Sequence, residues 1–140
     1  MRVVDGFPCV KEIVVRFADC DPLGHVNNAK YFTYLEEARF HWFRSVFGED
    51  GFRRHPIILA EARCSFRSAA KPGDRLRVGI RVQRIGRSSF THGYRIEDDG
   101  GRLVAEAESV GVGFDYATNG TRELGEEFRR AILAHQGSIP

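Results

Sequence analysis

Apolar side chains recur with helical periodicity over residues 29–47, where they fill one broad sector of a helix at about 100° per residue. Asn27 or Asn28 can cap the start of this helix, and Gly48 suits its C-terminal end. The sector is wide and rich in aromatic rings, which predicts a largely buried helix. Its members are Tyr31, Phe32, Leu35, Ala38, Trp42, Phe43, Val46 and Phe47.

One charged residue, Arg39, falls inside this apolar sector. A guanidinium in such a place needs a polar partner, because an unpaired buried charge is costly. Glu36, one helical turn earlier, is the nearest candidate in the sequence.

Alternation of apolar and polar residues predicts five strands. They span residues 10–17, 57–67, 74–85, 88–97 and 102–115, and most are separated by turn-forming Pro, Gly and Asp residues. In the last strand Val104, Val110, Val112 and Phe114 share one phase, and mostly small residues share the other. A short terminal helix is predicted over residues 122–135.

This order of elements predicts an α+β fold, in which a curved antiparallel meander wraps around the long helix. We expect the 140 residues to form one domain. Because such a sheet covers the helix on one side only, its edge strands and outer face favour pairing with a second subunit.

Composition excludes several classes of function. The formal net charge of +2 is too balanced to indicate a nucleic-acid or membrane-surface protein. No segment approaches the roughly 20 apolar residues of a membrane helix, and Asp5 and Pro8 argue against a secretory signal. The three cysteines, Cys9, Cys20 and Cys64, form no disulfide or zinc pattern, so we interpret them as reduced thiols of a cytoplasmic protein.

The segment Phe17–Tyr31 (FADCDPLGHVNNAKY) holds the densest chemistry, directly before and into the long helix. A carboxylate beside the free backbone N–H groups of a helix start suits chemistry on a carbonyl group. From the residues alone, Asp21 can equally be a turn carboxylate. Asp19 is more simply structural, accepting hydrogen bonds from N–H groups of the loop.

This segment and Tyr34–Arg39 (YLEEAR) resemble the hotdog-fold thioesterases of the 4-hydroxybenzoyl-CoA thioesterase type, with weaker likeness over residues 71–74 and 84–90. The resemblance implies a hotdog fold, hydrolysis of an acyl-CoA to free acid and CoA, and a homodimer or homotetramer with sites between subunits. It also implies that Asp21 is the catalytic carboxylate. The oxyanion-binding backbone N–H of the family falls at about Asn28.

Thioester hydrolysis needs an activated water or a nucleophile, and donors for the developing oxyanion. Asp21 can act as general base or as nucleophile, and the sequence leaves both open. The residues expected to contact the substrate are Gly24, His25, Asn27 and Tyr31. No cofactor or metal is expected, because Asp19, Asp21 and His25 lack the further ligand of a closed metal site.

Basic side chains near the sheet turns are candidates for the phosphates of coenzyme A, although they can equally form a solvated face. They are Arg63, Arg67, Lys71, Arg84 and Arg87. The first choice is the loop containing Arg84, Arg87, Ser88 and Ser89, where a glycine and two hydroxyl groups accompany the charges.

Two other functions stay open on this fold. One is a non-catalytic acyl-CoA binding module. The other is a hotdog enoyl-CoA hydratase, which would need a dyad such as Asp21 with His25, although their spacing is one residue short of that expected. We interpret His25 as a loop residue bonded to backbone, and His92 as a satisfied core or interface residue. No Gly-x-Ser-x-Gly elbow and no Cys–His arrangement indicates a serine or cysteine nucleophile.

Overall fold

A long helix packed against a curled antiparallel sheet dominates the fold, as the sequence predicts. The computed structural model describes residues 3–140. Its elements are β1 (Cys9–Val14), α1 (Asn28–Phe47), α2 (Gly51–Arg54), β2 (Ile57–Phe66), β3 (Arg75–Ile85), β4 (Ser89–Asp98), β5 (Leu103–Asp115), β6 (Gly120–Thr121) and α3 (Gly125–Gln136). No helix in this part of the chain is both long and apolar enough to cross a membrane.

The strands lie in the order β1-β3-β4-β5-β2, with every neighbouring pair antiparallel and β6 added beside β5. Only β3, β4 and β5 form a meander, so the predicted meander of the strands after the long helix is right for these three strands. The remaining strand, β2, lies at the far edge beside β5. The two edges of the main sheet are therefore β1 and β2.

The first strand ends earlier than the predicted residue 17. It stops at Val14, and a short 3₁₀ turn follows at Phe17–Asp19. The Asp19 carboxylate accepts a hydrogen bond from the Arg16 backbone N–H at 3.1 Å, which bends the chain out of extended geometry.

The helix signals are confirmed at both ends of α1. The Asn27 side chain accepts a hydrogen bond from the Ala29 N–H at 3.0 Å, and Gly48 closes the helix with φ +82°. The buried face comprises Tyr31, Tyr34, Leu35, Ala38, Trp42, Phe43 and Phe47. Phe32 is 38% exposed and lies outside this face, whereas Tyr34 lies within it.

Beyond Val104, which is fully buried, the inward phase of β5 is opposite to the one its large residues suggest. Ala105, Ala107 and Ser109 are buried towards the helix, paired with inward-facing residues of β4, whereas Val110 and Val112 are only half-buried. The aromatic residues of α1 and β4 leave room for small side chains only. A Cβ placed on Gly111 would lie 2.7 Å from the ring of Phe90.

The predicted partner of Arg39 is also wrong. Its Nη1 donates to the hydroxyl of Tyr94 on β4 at 3.1 Å, and that hydroxyl shares a 2.6 Å hydrogen bond with Ser109 on β5. Glu36 is exposed, and no ion pair within 4.0 Å joins it to Arg39 in the described chain. The guanidinium thus donates to a neutral oxygen 55 residues away and not to a carboxylate one turn earlier.

Candidate active site

Asp21 lies in a small surface hairpin that leads into α1. Its backbone N–H donates to the carbonyl oxygen of His25 at 2.9 Å, and Gly24 donates to the carbonyl oxygen of Asp21 at 2.9 Å. Below this pair, Cys20 and Val26 form an antiparallel bridge. Gly24 adopts φ +82°, a conformation that favours glycine, so the chain reverses there and returns Asp21 towards the helix start.

The carboxylate of Asp21 is held by one oxygen only. Its Oδ1 accepts a hydrogen bond from the Leu23 N–H at 2.9 Å, while no hydrogen bond found among residues 3–140 uses Oδ2. The described chain forms no ion pair with Asp21, which is partly exposed. One oxygen is therefore oriented, and the other is available to a water molecule or a substrate.

The start of α1 leaves one backbone donor uncommitted. The N–H of Ala29 donates to the Asn27 side chain, and the N–H of Lys30 donates to the Asn27 carbonyl oxygen at 2.8 Å. Within the described chain, no hydrogen bond is assigned to the N–H of Asn28. This donor lies at the positive end of the helix dipole, where negative charge is stabilised.

Asp19 fixes the base of the hairpin. Its carboxylate, 2% exposed, accepts bonds from the Arg16 guanidinium at 2.8 Å and from the Tyr34 hydroxyl at 2.8 Å. These bonds, the Arg16 side chain first among them, lower the pKa of Asp19 to about 2. Its carbonyl oxygen accepts from the Asn27 N–H at 2.9 Å, so it ties the hairpin to the helix cap. The predicted structural role of Asp19 is confirmed.

The remaining predicted contact residues surround these groups in different ways. Gly24 and His25 are exposed on the hairpin, and Asn27 is the helix cap. Tyr31 is buried, with its ring 5.2 Å from that of Phe66, and burial raises its pKa to about 12. Their contact with a substrate stays a prediction.

The loop chosen for the coenzyme phosphates is far from Asp21 within one chain. The Asp21 segment is bound to the start of β3, because Val15 donates to the Asp74 carbonyl oxygen and Val26 to that of Ala70. Arg84 stands at the other end of β3, roughly 30 Å away at the usual rise per residue of a strand. One chain therefore does not bring the two together.

The same loop is already engaged in the fold. The Arg87 side chain donates to Glu123 at 2.7 Å, the Ser88 carbonyl oxygen accepts from Gly113, and that of Ser89 accepts from Gly86. Only a second subunit can carry Arg84, Arg87, Ser88 and Ser89 towards an Asp21 site. Their phosphate-binding role stays a prediction that depends on assembly.

The other basic residues of the sheet form an ion-paired outer face. Arg63 pairs with Glu108, and Arg67 pairs with Glu106 at 3.3 Å. This confirms the alternative of a solvated charged face for Arg63 and Arg67.

A cavity of about 240 Å³ lies between α1, α2 and the start of β2. Sequence reasoning did not identify it, because its walls come from five elements far apart in the chain. Its lining includes Phe40, Phe43, Phe52, Ile57, Ile58, Leu59, Phe90, Gly111 and the polar residues Glu36, Arg39, His92 and Ser109. The only sign of the cavity in the sequence is the presence of Phe40 and Phe43 on α1 and of Phe52 shortly after it.

His92 lies in the core, one of the two places predicted for it, but it is not satisfied as predicted. It is buried against Trp42, with ring centroids 4.3 Å apart, and its Nε2 has no hydrogen-bond partner in the described chain. Burial, assisted by the nearby charge of Arg39, lowers the pKa of His92 to about 3. The imidazole is therefore neutral at physiological pH. Among residues 3–140, no group of three or more His, Cys, Asp or Glu side chains is arranged to hold a metal ion.

Comparison with known proteins identifies the family of this chain. Residues 15–132 match the family described as the thioesterase-like superfamily. A thioesterase from Thermus thermophilus, solved with coenzyme A and zinc, superposes with a TM-score of 0.88 at 31% identity, covering 98% of this chain and 100% of that one.

Two further relatives are more distant. The 1,4-dihydroxy-2-naphthoyl-CoA thioesterase Slr0204 from Synechocystis has a TM-score of 0.80 at 23% identity, covering 89% of this chain and 95% of that one, and shares the fold. The uncharacterized protein YsmA of Bacillus subtilis is 28% identical over 89 residues, which are 64% of this chain and 60% of YsmA.

Proposed function

The chain belongs to the thioesterase-like superfamily, and we propose that it is an acyl-CoA thioesterase in which Asp21 and the backbone N–H of Asn28 carry the reaction. The family and the thioesterases named among its structural relatives assign it to the thioester hydrolases. The observation that carries the residue assignment is that two groups near the start of α1 have no hydrogen-bond partner within the described chain. One is Oδ2 of Asp21, and the other is the backbone N–H of Asn28.

The proposed reaction begins at the thioester carbonyl. As general base, Asp21 takes a proton from a water molecule while the resulting hydroxide attacks the carbonyl carbon. The oxygen of the tetrahedral intermediate gains negative charge and accepts a hydrogen bond from the Asn28 N–H. The C–S bond then breaks, the thiolate of coenzyme A leaves with the electron pair, and the free acid remains. A thiolate is a good leaving group, so no strong general acid is needed.

In the nucleophilic alternative, Oδ2 of Asp21 attacks the carbonyl carbon directly. Expulsion of the thiolate then leaves a mixed anhydride on Asp21, which water hydrolyses. Single-turnover hydrolysis in ¹⁸O-labelled water tests this route. Label in the carboxylate of Asp21 indicates an anhydride that water opens at the aspartyl carbonyl carbon, whereas label confined to the product acid fits the general base and also an anhydride opened at the acyl carbonyl carbon.

We further propose that the active unit is a homodimer or homotetramer. The edge strand β2 exposes Leu59 and Phe66, 48% and 42% accessible, at a row of unpaired backbone groups. The Phe66 end of β2 touches Tyr31 in the first turn of α1, and the opposite end begins at Ile57 beside the cavity. Antiparallel pairing of two β2 edges places the helix start of one subunit beside the cavity of the other.

Substitution of Asp21 by asparagine tests the proposal, with Asp115 as a matched control. Oδ1 of Asp115 accepts the Ala117 N–H at 2.9 Å, which is the same turn geometry that Asp21 has with Leu23. Thiol release from a panel of acyl-CoA thioesters should fall at least ~100-fold in Asp21→Asn and stay unchanged in Asp115→Asn. Equal activity of the two variants would refute the role of Asp21.

A further inference from the structure

The cavity between α1, α2 and β2 contains a positive charge without a counter-ion. Arg39 is half-buried in its wall, and no carboxylate lies within 4.0 Å of the guanidinium in the described part of the chain. Among residues 3–140 this side chain makes a single hydrogen bond, from Nη1 to the Tyr94 hydroxyl. A guanidinium has five N–H donors in a planar fork, so most of them remain available.

The other polar groups of the cavity do not neutralise this charge. Glu36 is exposed at the rim, where solvent screens its carboxylate. His92 is neutral, and Ser109 is occupied by its hydrogen bond to Tyr94. The electrostatic character of the cavity is therefore set by Arg39.

The rest of the lining is apolar, with Phe40, Phe52 and Leu59 partly exposed at its mouth. Phe40, Phe43, Phe52 and Phe90 contribute aromatic surface, and the start of β2 contributes aliphatic side chains. Such walls accept a methylene chain or an aromatic ring. An ionic hydrogen bond in these surroundings is stronger than at an open surface, and it discriminates well against a ligand that lacks the charged group.

We propose that this cavity binds the distal part of the acyl group, and that Arg39 selects acyl groups ending in a carboxylate, which are the monothioesters of dicarboxylic acids. The two available N–H groups of a guanidinium edge match the two oxygens of a carboxylate. This inference rests on the proposed thioesterase function and on the β2-paired dimer, in which the cavity of one subunit lies beside the helix start of the other.

The test compares matched thioesters that differ only in the terminal group. One pair is adipoyl-CoA and hexanoyl-CoA, and the second is 4-carboxybenzoyl-CoA and benzoyl-CoA, which separates a chain from a ring. In at least one pair the wild-type protein should favour the carboxylate by roughly 10- to 100-fold in kcat/KM, the range expected for one charge-assisted hydrogen bond.

Three variants test whether a preference for the terminal carboxylate depends on Arg39. Arg39→Gln should abolish the preference, chiefly through the KM of the carboxylated substrate, and Arg39→Lys should retain part of it. Arg44→Gln, on the exposed side of the same helix, is the control and should keep the full preference.

Turnover of the neutral substrates at equal or higher kcat/KM by the wild type overturns the inference while leaving the thioesterase function intact. A preference that survives in folded Arg39→Gln also overturns it. If that variant does not fold, the wild-type ratios and Arg39→Lys decide. Absence of turnover on all four thioesters overturns this inference, and the proposed function is then decided by the acyl-CoA panel used for Asp21→Asn.

Discussion

Replacing Asp19 with asparagine should destabilise the fold by about 2 kcal/mol at neutral pH. The carboxylate is 2% exposed, and its bonds to Arg16 and Tyr34 lower its pKa from 3.8 to about 2. One pKa unit corresponds to about 1.4 kcal/mol of preference for the ionised form in the folded state. Arg16 is largely exposed, so salt should reduce part of this contribution.

The same linkage gives the effect a pH dependence with a defined sign. Because the folded-state pKa of Asp19 is depressed, its contribution is complete above the unfolded pKa of about 4. It is lost as the pH falls through the folded value of about 2. The stability difference between the wild type and Asp19→Asn should therefore shrink to about 1 kcal/mol at pH 3.

Urea unfolding followed by circular dichroism at pH 7, 5 and 3 measures this difference. Asp50→Asn serves as the control, because the Asp50 side chain is exposed and makes no capping hydrogen bond. That variant should stay within about 0.5 kcal/mol of the wild type. A cost for Asp19→Asn that is below this level at pH 7, or equal at pH 7 and pH 3, would contradict the reasoning.

Three further outcomes are expected. Asn28→Pro removes the proposed oxyanion donor at a position where proline fits a helix, and the ψ of 134° at Asn27 already suits a following proline. Thiol-release assays should show kcat at least ~100-fold lower for this variant, while Asn28→Ala stays near wild type. Equal rates for the two variants would exclude this donor. Gly111→Ala should cost about 1–3 kcal/mol in urea unfolding, because its methyl group meets the Phe90 ring; an unchanged midpoint would show that the ring moves aside freely. Leu35→Ala, at a fully buried site, should cost about 2–5 kcal/mol in the same assay, and a cost below 1 kcal/mol would contradict its place in the core.

The helix could be predicted closely because its signals are local. The cap at Asn27 and the glycine at 48 lie within one turn of its ends. Asn27 acts through its side-chain oxygen, and Gly48 acts through its positive φ. The β5 phase could not be predicted the same way. Which side of that strand faces inward depends on the rings of Trp42 and Phe90, and single-strand alternation carries no information about them.

The candidate site shows the same division. The motif could predict that Asp21 and Asn28 both lie near the helix start, because they are close in the chain and the hairpin between them is held by local hydrogen bonds. The partner of Arg39 is 55 residues distant, and the cavity it lines needs five elements to assemble. Such contacts form only in the folded sheet, so no local pattern in the sequence predicts them.

The surface position of the hairpin separates the chemistry of this protein from the stability of its core. Pro22, Leu23 and Gly24 project into solvent, so changes around Asp21 leave the buried face of α1 undisturbed. Descendants of this chain can therefore exchange reactive groups at the hairpin while remaining folded. Asp19 is the exception, because we expect its substitution to impair folding before it affects catalysis.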